Sequence, residues 1–174
     1  MAKIFINPGH APNGNPDPGA CGEFLRESDV AAFVGDVVAK DLQAVGYETK
    51  VFQSDELGEI CRVANAWGAD YFISIHLNSA ENRSAKGTET FYYVGSPSSE
   101  KLASAIQHQL VKTMGTIDRG LKNGNWLYVL KHTEMPAILV ELGFISNKAE
   151  EIYMNEHKQV MAHAIARGVT DAGI

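Results

Sequence analysis

The chain has 174 residues, of which 45% are hydrophobic, and a formal net charge of -6 at pH 7. A chain of this length can bury one hydrophobic core, so we expect a single domain over residues 1–174. The negative charge argues against a nucleic-acid partner, because nucleic-acid-binding proteins carry clustered Lys and Arg. No apolar run approaches the roughly 20 residues of a membrane helix, so we also expect no membrane partner.

In the first half of the chain, short apolar runs typical of strands alternate with segments whose apolar residues recur at helical spacing. A short buried strand is predicted over residues 4–6, and the Gly, Pro and Asn-rich stretch 7–22 that follows is a loop. Apolar residues then recur at helical spacing from a cap at Ser28 to a stop at Gly46. A strand over 47–52, a helix over 57–67 and a continuous apolar strand over 71–75 complete this half.

The second half repeats the alternation. We predict strands over 87–94, 126–130 and 137–142, a helix from about residue 102 to Met114, and a helix over 148–173 with a break near Asn155. Strands that alternate with helices indicate an α/β fold. We therefore expect a twisted, mostly parallel sheet flanked by helices on both faces.

Chemically reactive side chains follow three of these strands. His10 comes just after the first strand, His76 directly after residues 71–75, and Glu141 near the end of the last apolar strand. In open α/β sheets, ligands bind outside the carboxyl ends of the strands. The sequence therefore places two histidines and one carboxylate at the same edge of the sheet.

Two histidines at one edge indicate a catalytic zinc site, which uses three protein ligands and leaves a fourth position for water. The third ligand should come from the loop before the first helix, where both Glu23 and Glu27 lie. Glu27 is modestly preferred, because the start of the helix would fix its direction. Cys21 is a further alternative, since thiolate also binds zinc well.

Glu141 is anomalous for a different reason. Apolar residues surround it on both sides, from Ala137 to Val140 and from Leu142 to Ile145. Burying an unpaired carboxylate among apolar residues destabilises the folded state. Glu141 is therefore expected either to pair with another group or to have a role in function. Burial raises a carboxyl pKa and a nearby cation lowers it, and the balance suits general acid/base work near neutral pH.

Other features have simpler interpretations. The early Gly-rich loop lacks both the Walker lysine and the dinucleotide-binding glycine spacing, which disfavours a phosphate site. Trp126 is either a surface residue or a sugar-stacking platform. Structural or surface roles are expected for the four remaining histidines, His108, His132, His157 and His163.

The chain resembles the N-acetylmuramoyl-L-alanine amidase family, whose catalytic domain is often called the amidase type 3 domain. The resemblance runs from Ile4 to about Val169 and departs from the family pattern in the first loop, where Ala11 to Pro16 replace the usual glycines and Asn7 stands for the usual Asp. The matching segments are Asn7-Pro8-Gly9-His10, Asp17-Pro18-Gly19-Ala20, Glu27 before Ser28-Asp29-Val30, Ser74-Ile75-His76-Leu77-Asn78, Arg119-Gly120-Leu121-Lys122, and Met135 to Asn147.

This resemblance implies roles for particular residues. His10, Glu27 and His76 match the zinc ligands of the family, which favours Glu27 over Glu23, and Glu141 matches the catalytic glutamate. We further expect the two polar residues Asn78 and Arg119 to bind substrate.

The resemblance also implies an activity. The expected reaction is hydrolysis of the amide between N-acetylmuramic acid and the first L-alanine of the peptidoglycan stem peptide, by zinc-activated water with a glutamate acid/base. Two alternatives stay open: a wall-binding module that has lost catalysis, and a zinc peptidase that cuts within the stem peptide.

The expected partner is peptidoglycan, and the chain is expected to be a monomer with a separate wall-binding domain beyond Ile174. Met1-Ala2-Lys3 leads directly into the first strand, which leaves no room for a signal peptide. Release by phage lysis or another non-classical route is therefore predicted, with a host autolysin as the alternative.

Overall fold

A computed structural model of the protein describes residues 2–174. Its strands are β1 (Lys3–Pro8), β2 (Glu48–Val51), β3 (Tyr71–Asn78), β4 (Thr88–Tyr92), β5 (Asp118–Asn123) and β6 (Ala137–Phe144). Its α-helices are α1 (Glu27–Ala44), α2 (Leu57–Trp67), α3 (Pro97–Met114), α4 (Tyr128–His132) and α5 (Lys148–Asp171).

The six strands form one sheet in the order β2-β1-β3-β6-β4-β5. All neighbouring pairs are parallel except β4 and β6, which run antiparallel. The predicted α/β class and the mostly parallel sheet are therefore confirmed. None of the helices in the described part of the chain is both long and apolar enough to span a membrane.

Each face of the sheet carries its own hydrophobic core. One core contains Ile73 and Ile75 of β3 together with residues of α1, α3 and α5. The other contains Phe72 of β3, Leu139 of β6 and residues of α2 and α4. Helices thus cover both faces, as predicted, because successive strand side chains alternate between the two sides.

This alternation decides which side chains can reach the site. Phe72 packs on the α2–α4 face, so Ser74 and His76, two and four residues further along β3, point to that same face. Glu141 lies two residues beyond Leu139 and faces the same way. The polar ends of β3 and β6 therefore emerge together on the side of α2 and α4.

In the second half, one prediction is wrong and one strand was missed. Residues 126–130 are not a strand, because helix α4 begins at Tyr128 and buries Val129 and Leu130 against the core beneath α2. A run of apolar residues this short fits a strand or one buried helical turn equally well. Strand β5 was not predicted, since an edge strand that is largely exposed needs no apolar pattern.

Two predicted helix features are also wrong. Helix α1 begins at Glu27 rather than after a Ser28 cap, and Ser28 is buried inside its first turn. Helix α5 continues through Asn155 without a break. Met154 and Met161 are both buried, and their spacing of two helical turns keeps them on one face while the polar residues between them face solvent.

Candidate metal centre

Three side chains meet at the carboxyl end of the sheet. His10 follows β1, Glu27 is the first residue of α1, and His76 lies on β3; one ligand atom from each lies within 4.8 Å of the others. His10 Nε2 is 3.0 Å from Glu27 Oε2, and His76 Nδ1 is 2.9 Å from Glu27 Oε1. The geometry thus brings together the three residues expected to bind metal.

The two rival ligands lie outside this group. Within residues 2–174, no second group of three His, Cys, Asp or Glu side chains meets the same criterion, and neither Cys21 nor Glu23 belongs to the one that does. Glu23 instead pairs with Lys148 at 2.8 Å. Cys21 is exposed, and its thiol donates to the Gly19 carbonyl oxygen at 3.8 Å.

Asp17 determines the tautomer of His10. Its Oδ2 lies 2.7 Å from His10 Nδ1, and its Oδ1 accepts a hydrogen bond from the Gly19 backbone N–H. Because an ionised carboxylate can only accept, His10 Nδ1 donates to it. In the neutral ring the proton stays on Nδ1, which leaves Nε2, 3.0 Å from Glu27 Oε2, as the atom that could bind a cation placed between them. Carboxylates orient metal-binding histidines in this way.

A buried chain of hydrogen bonds does the same for His76. Asn7 donates its amide hydrogens to the Pro8 and Phe52 carbonyls, so its Oδ1 accepts the proton of Ser74 Oγ at 2.8 Å. Ser74 has no second proton, and its Oγ must accept from His76 Nε2, 3.1 Å away. His76 Nδ1, which lies 2.9 Å from Glu27 Oε1, is therefore the ring nitrogen that could bind a cation placed between the two residues.

These hydrogen bonds of Asn7 also explain a departure from the family pattern. Asn7 stands where the family usually has Asp, and both amide hydrogens of Asn7 are used on carbonyl oxygens. An aspartate carboxylate could not donate those bonds. Asn at this position therefore fits the polar groups around it in this protein.

Glu27 is buried and remains ionised. Two backbone N–H groups donate to it, that of Ala20 to Oε2 and that of Leu77 to Oε1, both at 2.9 Å. Burial alone would raise the pKa of Glu27, but hydrogen bonds and attraction from His10 and His76 outweigh it and hold that pKa well below its ordinary value. In the same way, burial lowers the pKa of His10, yet Glu27 and Asp17 together raise it to about 9.

These features fit a divalent cation. Two imidazole lone pairs and a carboxylate converge within a few ångströms, and such a set of electron-rich atoms repels itself unless a proton or a cation lies between them. Two nitrogens and one carboxylate oxygen form a ligand set found in catalytic zinc sites. The residues present therefore suit zinc.

Two glycines allow this close approach. A side-chain carbon on Gly9 would collide with the ring of His76. One on Gly19, which has a φ of +69°, would lie 2.5 Å from His10 Cδ2 and 2.7 Å from Glu27 Oε2. His10 itself has a φ of 66°, which is uncommon for a residue with a side chain and occurs often at functional sites.

Glu141 lies beside the three-residue group. It is in register with His76 across the β3–β6 pair, and its Oε2 is buried without a hydrogen-bond partner among the described residues. Burial, then repulsion from the Glu27 and Glu89 carboxylates, raises the pKa of Glu141 well above its ordinary value. A carboxyl group with a raised pKa can serve as a general acid or base.

The two residues expected to bind substrate, Asn78 and Arg119, meet at a carboxylate that sequence reasoning missed. Asn78 Nδ2 donates to Glu89 Oε1 at 2.7 Å, and Arg119 Nε donates to Glu89 Oε2 at 2.9 Å. Glu89 is buried in β4. Its one available signal was a lone charged residue between Thr88 and Thr90 in a predicted strand.

A cavity of about 310 Å³ opens next to the group. Helices α2 and α4 form its far wall, with the half-exposed side chains of Leu57 and Tyr128 at the rim. Asp17 and Asp55 also line it. Trp126, whose surface is 72% exposed, lies just before α4 with its ring edge against Phe91. The three-residue group is thus accessible through a partly apolar groove.

Comparison with known proteins agrees with this geometry. Residues 4–171 match the family model described as N-acetylmuramoyl-L-alanine amidase. The chain is 39% identical to YqiI of Bacillus subtilis strain 168, covering 95% of this chain and 82% of that protein. It is 36% identical to the N-acetylmuramoyl-L-alanine amidase LytC of the same strain, covering 95% of this chain but only 34% of that protein.

A solved structure shares the fold. The N-acetylmuramoyl-L-alanine amidase AmiC2 of Nostoc punctiforme superimposes with a TM-score of 0.88 at 31% identity, covering 98% of this chain and 96% of that one. The architecture of the sheet and its helices is therefore that of a known enzyme domain.

Proposed function

Because this chain belongs to the N-acetylmuramoyl-L-alanine amidase family, a family of hydrolases, we propose that it cleaves the amide between N-acetylmuramic acid and L-alanine in peptidoglycan. In this proposal His10, Glu27 and His76 bind a zinc ion and Glu141 is the acid/base. The observation that carries it is the convergence of the three ligand atoms within 4.8 Å beside the unpartnered carboxyl of Glu141.

The metal has a defined part in this chemistry. Bound zinc would supply a Lewis acid that polarises the scissile carbonyl and lowers the pKa of water from 15.7 toward about 7. Asp17 and Ser74 hold the two imidazoles in the tautomers that such a site needs.

Glu141 moves the proton in the proposed reaction. Bound zinc would lower the pKa that burial raises, which favours the Glu141 carboxylate. This carboxylate takes a proton from the attacking water, whose oxygen forms a bond to the lactyl carbonyl carbon. The protonated Glu141 then donates to the amide nitrogen, and the carbon–nitrogen bond breaks. The second water proton passes from the new lactyl carboxyl group to the released amine. The products are a glycan bearing a lactyl carboxylate and a stem peptide with a protonated L-alanine amine.

The groove suits a substrate of this kind. Its wall of Leu57 and Tyr128 offers apolar contact, and Asp55 adds a polar group. A peptide with a sugar at one end presents both kinds of surface. Trp126 remains a candidate for stacking on the sugar, since its ring is exposed close to this wall.

The setting of the enzyme is proposed on the same basis. Peptidoglycan is its proposed substrate, and the bacterial cell wall its proposed place of action. Because the chain spans about a third of the length of LytC, the activity and partners of the whole protein are part of the proposal. A monomeric state and a separate wall-binding domain stay predictions.

Product analysis on purified peptidoglycan tests the proposed function. We expect new free amines that mass spectrometry assigns to L-alanine, abolished by a chelator and restored by zinc. New amines on a later residue of the stem would instead show a peptidase. Binding to walls without any new amine at full zinc loading would show a binding module.

A further inference from the structure

The buried carboxylate of Glu89 has no role in the reaction proposed above, although Glu89 lies opposite Glu141 in the sheet. We propose that Glu89 is a positioning residue that fixes Asn78 and Arg119 next to Glu141, where they bind acceptor oxygens of the stem peptide. This inference rests on the proposed function and names the side of the site on which the substrate is held.

Both oxygens of Glu89 are committed to these two residues. Oε1 accepts from Asn78 at 2.7 Å and Oε2 accepts from Arg119 at 2.9 Å. Glu89 is only 6% exposed, so leaving its charge unpaired would be costly. The pairing therefore restricts Asn78 and Arg119 to one arrangement.

Arg119 is fixed by more than Glu89. Its guanidinium lies 4.9 Å from the centre of the Phe144 ring, and its Nη1 donates to the Lys86 carbonyl at 3.4 Å. The side chain is still 38% exposed. These bonds use two of its five N–H donors, so a rigid guanidinium keeps donors available for a ligand.

Strand register places this pair on a defined side of the base. Glu141 is opposite His76 on β3 and opposite Glu89 on β4. Neighbouring strands are about 4.8 Å apart. His76, Glu141 and Glu89 therefore form a row across the sheet, which runs from the proposed metal ligand through the proposed base to Glu89. Arg119, on β5, lies beyond Glu89 at the end of the row farthest from His76.

This order has a consequence for binding. A substrate whose scissile carbonyl lies at the three-residue group and whose chain extends over Glu141 would reach Asn78 and Arg119 next. Amide and guanidinium N–H groups donate to carbonyl and carboxylate oxygens, which are plentiful in a peptide. The pair would therefore increase affinity for the stem peptide rather than take part in bond cleavage.

A double-mutant cycle tests the inference on a soluble muropeptide. Glu89→Gln and Arg119→Ala should each raise KM about tenfold, the loss expected for one charge-assisted hydrogen bond. Each should leave kcat within about twofold, because the pair does not touch the breaking bond. In the double variant KM should rise by less than the product of the two single effects, since Glu89 acts partly through Arg119 and partly through Asn78.

The controls separate a positioning role from a structural one. Glu81→Gln, an exposed carboxylate in the neighbouring loop, should leave KM unchanged, and zinc content should be full in every variant. Unchanged KM in Glu89→Gln, additive effects in the double variant, or loss of zinc would each overturn the inference. If Glu89→Gln does not fold, Arg119→Lys must still raise KM. Lysine keeps the positive charge but lacks the several fixed N–H donors of a guanidinium.

The two proposals fail in different ways. If the parental protein releases no L-alanine amine, the proposed function is wrong. If the parental protein is active and these variants bind substrate normally, only the role of Glu89 is wrong.

Discussion

Glu141 of β6 lies directly opposite His76 of β3 in the parallel pairing of the two strands. The carboxyl group of Glu141, whose Oε2 has no hydrogen-bond partner in the described structure, thus adjoins a histidine whose Nδ1 pairs with Glu27. The proposed function assigns different tasks to these neighbouring strands, metal binding to β3 and proton transfer to β6. The two residues can therefore be tested independently.

Replacing Glu141 should remove catalysis without removing the metal. We expect Glu141→Ala to keep full zinc content and to lose about 10²- to 10⁴-fold in rate, the usual contribution of a general acid/base. Metal analysis and amine release from peptidoglycan measure the two properties. Lysis of walls at the parental rate would show that Glu141 is not the base.

Replacing His76 should remove both properties. His76→Ala deletes one of the three proposed ligands, so zinc content and hydrolysis should fall together. His157→Ala is the matched control, since His157 is on α5 and bonds only to the Tyr153 carbonyl of the preceding turn. Full zinc occupancy in His76→Ala would exclude His76 from the site.

Asp17 should act on the metal through His10. Asp17→Asn replaces the acceptor of the His10 Nδ1 proton, and loss of such a partner typically weakens metal affinity about 10- to 100-fold. Competition with a chelating dye measures the affinity. Asp55→Asn alters an acidic residue that lines the same cavity and should leave the zinc affinity unchanged. Equal zinc affinities in the Asp17 and Asp55 variants would contradict the role of Asp17.

Gly19 should be needed for the closeness of His10 and Glu27. Gly19→Ala puts a carbon 2.7 Å from Glu27 Oε2, so we expect weaker zinc binding as well as lower stability. Gly68→Ala is the control, because Gly68 has a similar φ of +66° but nothing within 4 Å of the added carbon. It should share the backbone cost of a positive φ while keeping zinc affinity. Equal zinc affinity in both variants would contradict the prediction.

Glu151 should stabilise the loop that leads to Glu27, and should do so in a pH-dependent way. It is buried and accepts three backbone hydrogen bonds, from Glu23, Phe24 and Leu25. Burial alone would raise the pKa of Glu151, but these bonds outweigh it and hold the pKa below its ordinary value of 4.5. Glu151→Gln should lower the free energy of unfolding by about 2 kcal/mol at pH 7.

The sign of the pH effect follows from this lowered pKa. The stabilisation is present above the unfolded value of 4.5 and is lost as pH falls through the lower folded value. The difference between parent and Glu151→Gln in urea unfolding should therefore shrink below pH 4.5. Glu156→Gln, an exposed change on the same helix, should cause no such difference; a gap that stays constant with pH would contradict the prediction.

Much of the fold could be predicted because its signals are local. The apolar run of β3 and the helical spacing of α1 both lie within short segments, and both elements are present. The strand-end rule then placed His10, His76 and Glu141 at one edge of the sheet, where the structure has them. The elements that were mistaken or missed were α4, a single helical turn, and β5, an exposed edge strand. The Ser28 cap of α1 and the break in α5 were also wrong.

The sequence by itself determined the α/β class and which types of side chain end the strands, because hydrophobic periodicity and residue chemistry are properties of short segments. Only the tertiary structure decided which acid meets the histidines, which tautomers they hold, and that Glu89 joins Asn78 to Arg119. Those contacts link residues far apart in the chain, such as Glu27 and His76. Their formation depends on strand register and helix packing, which short-range patterns do not contain.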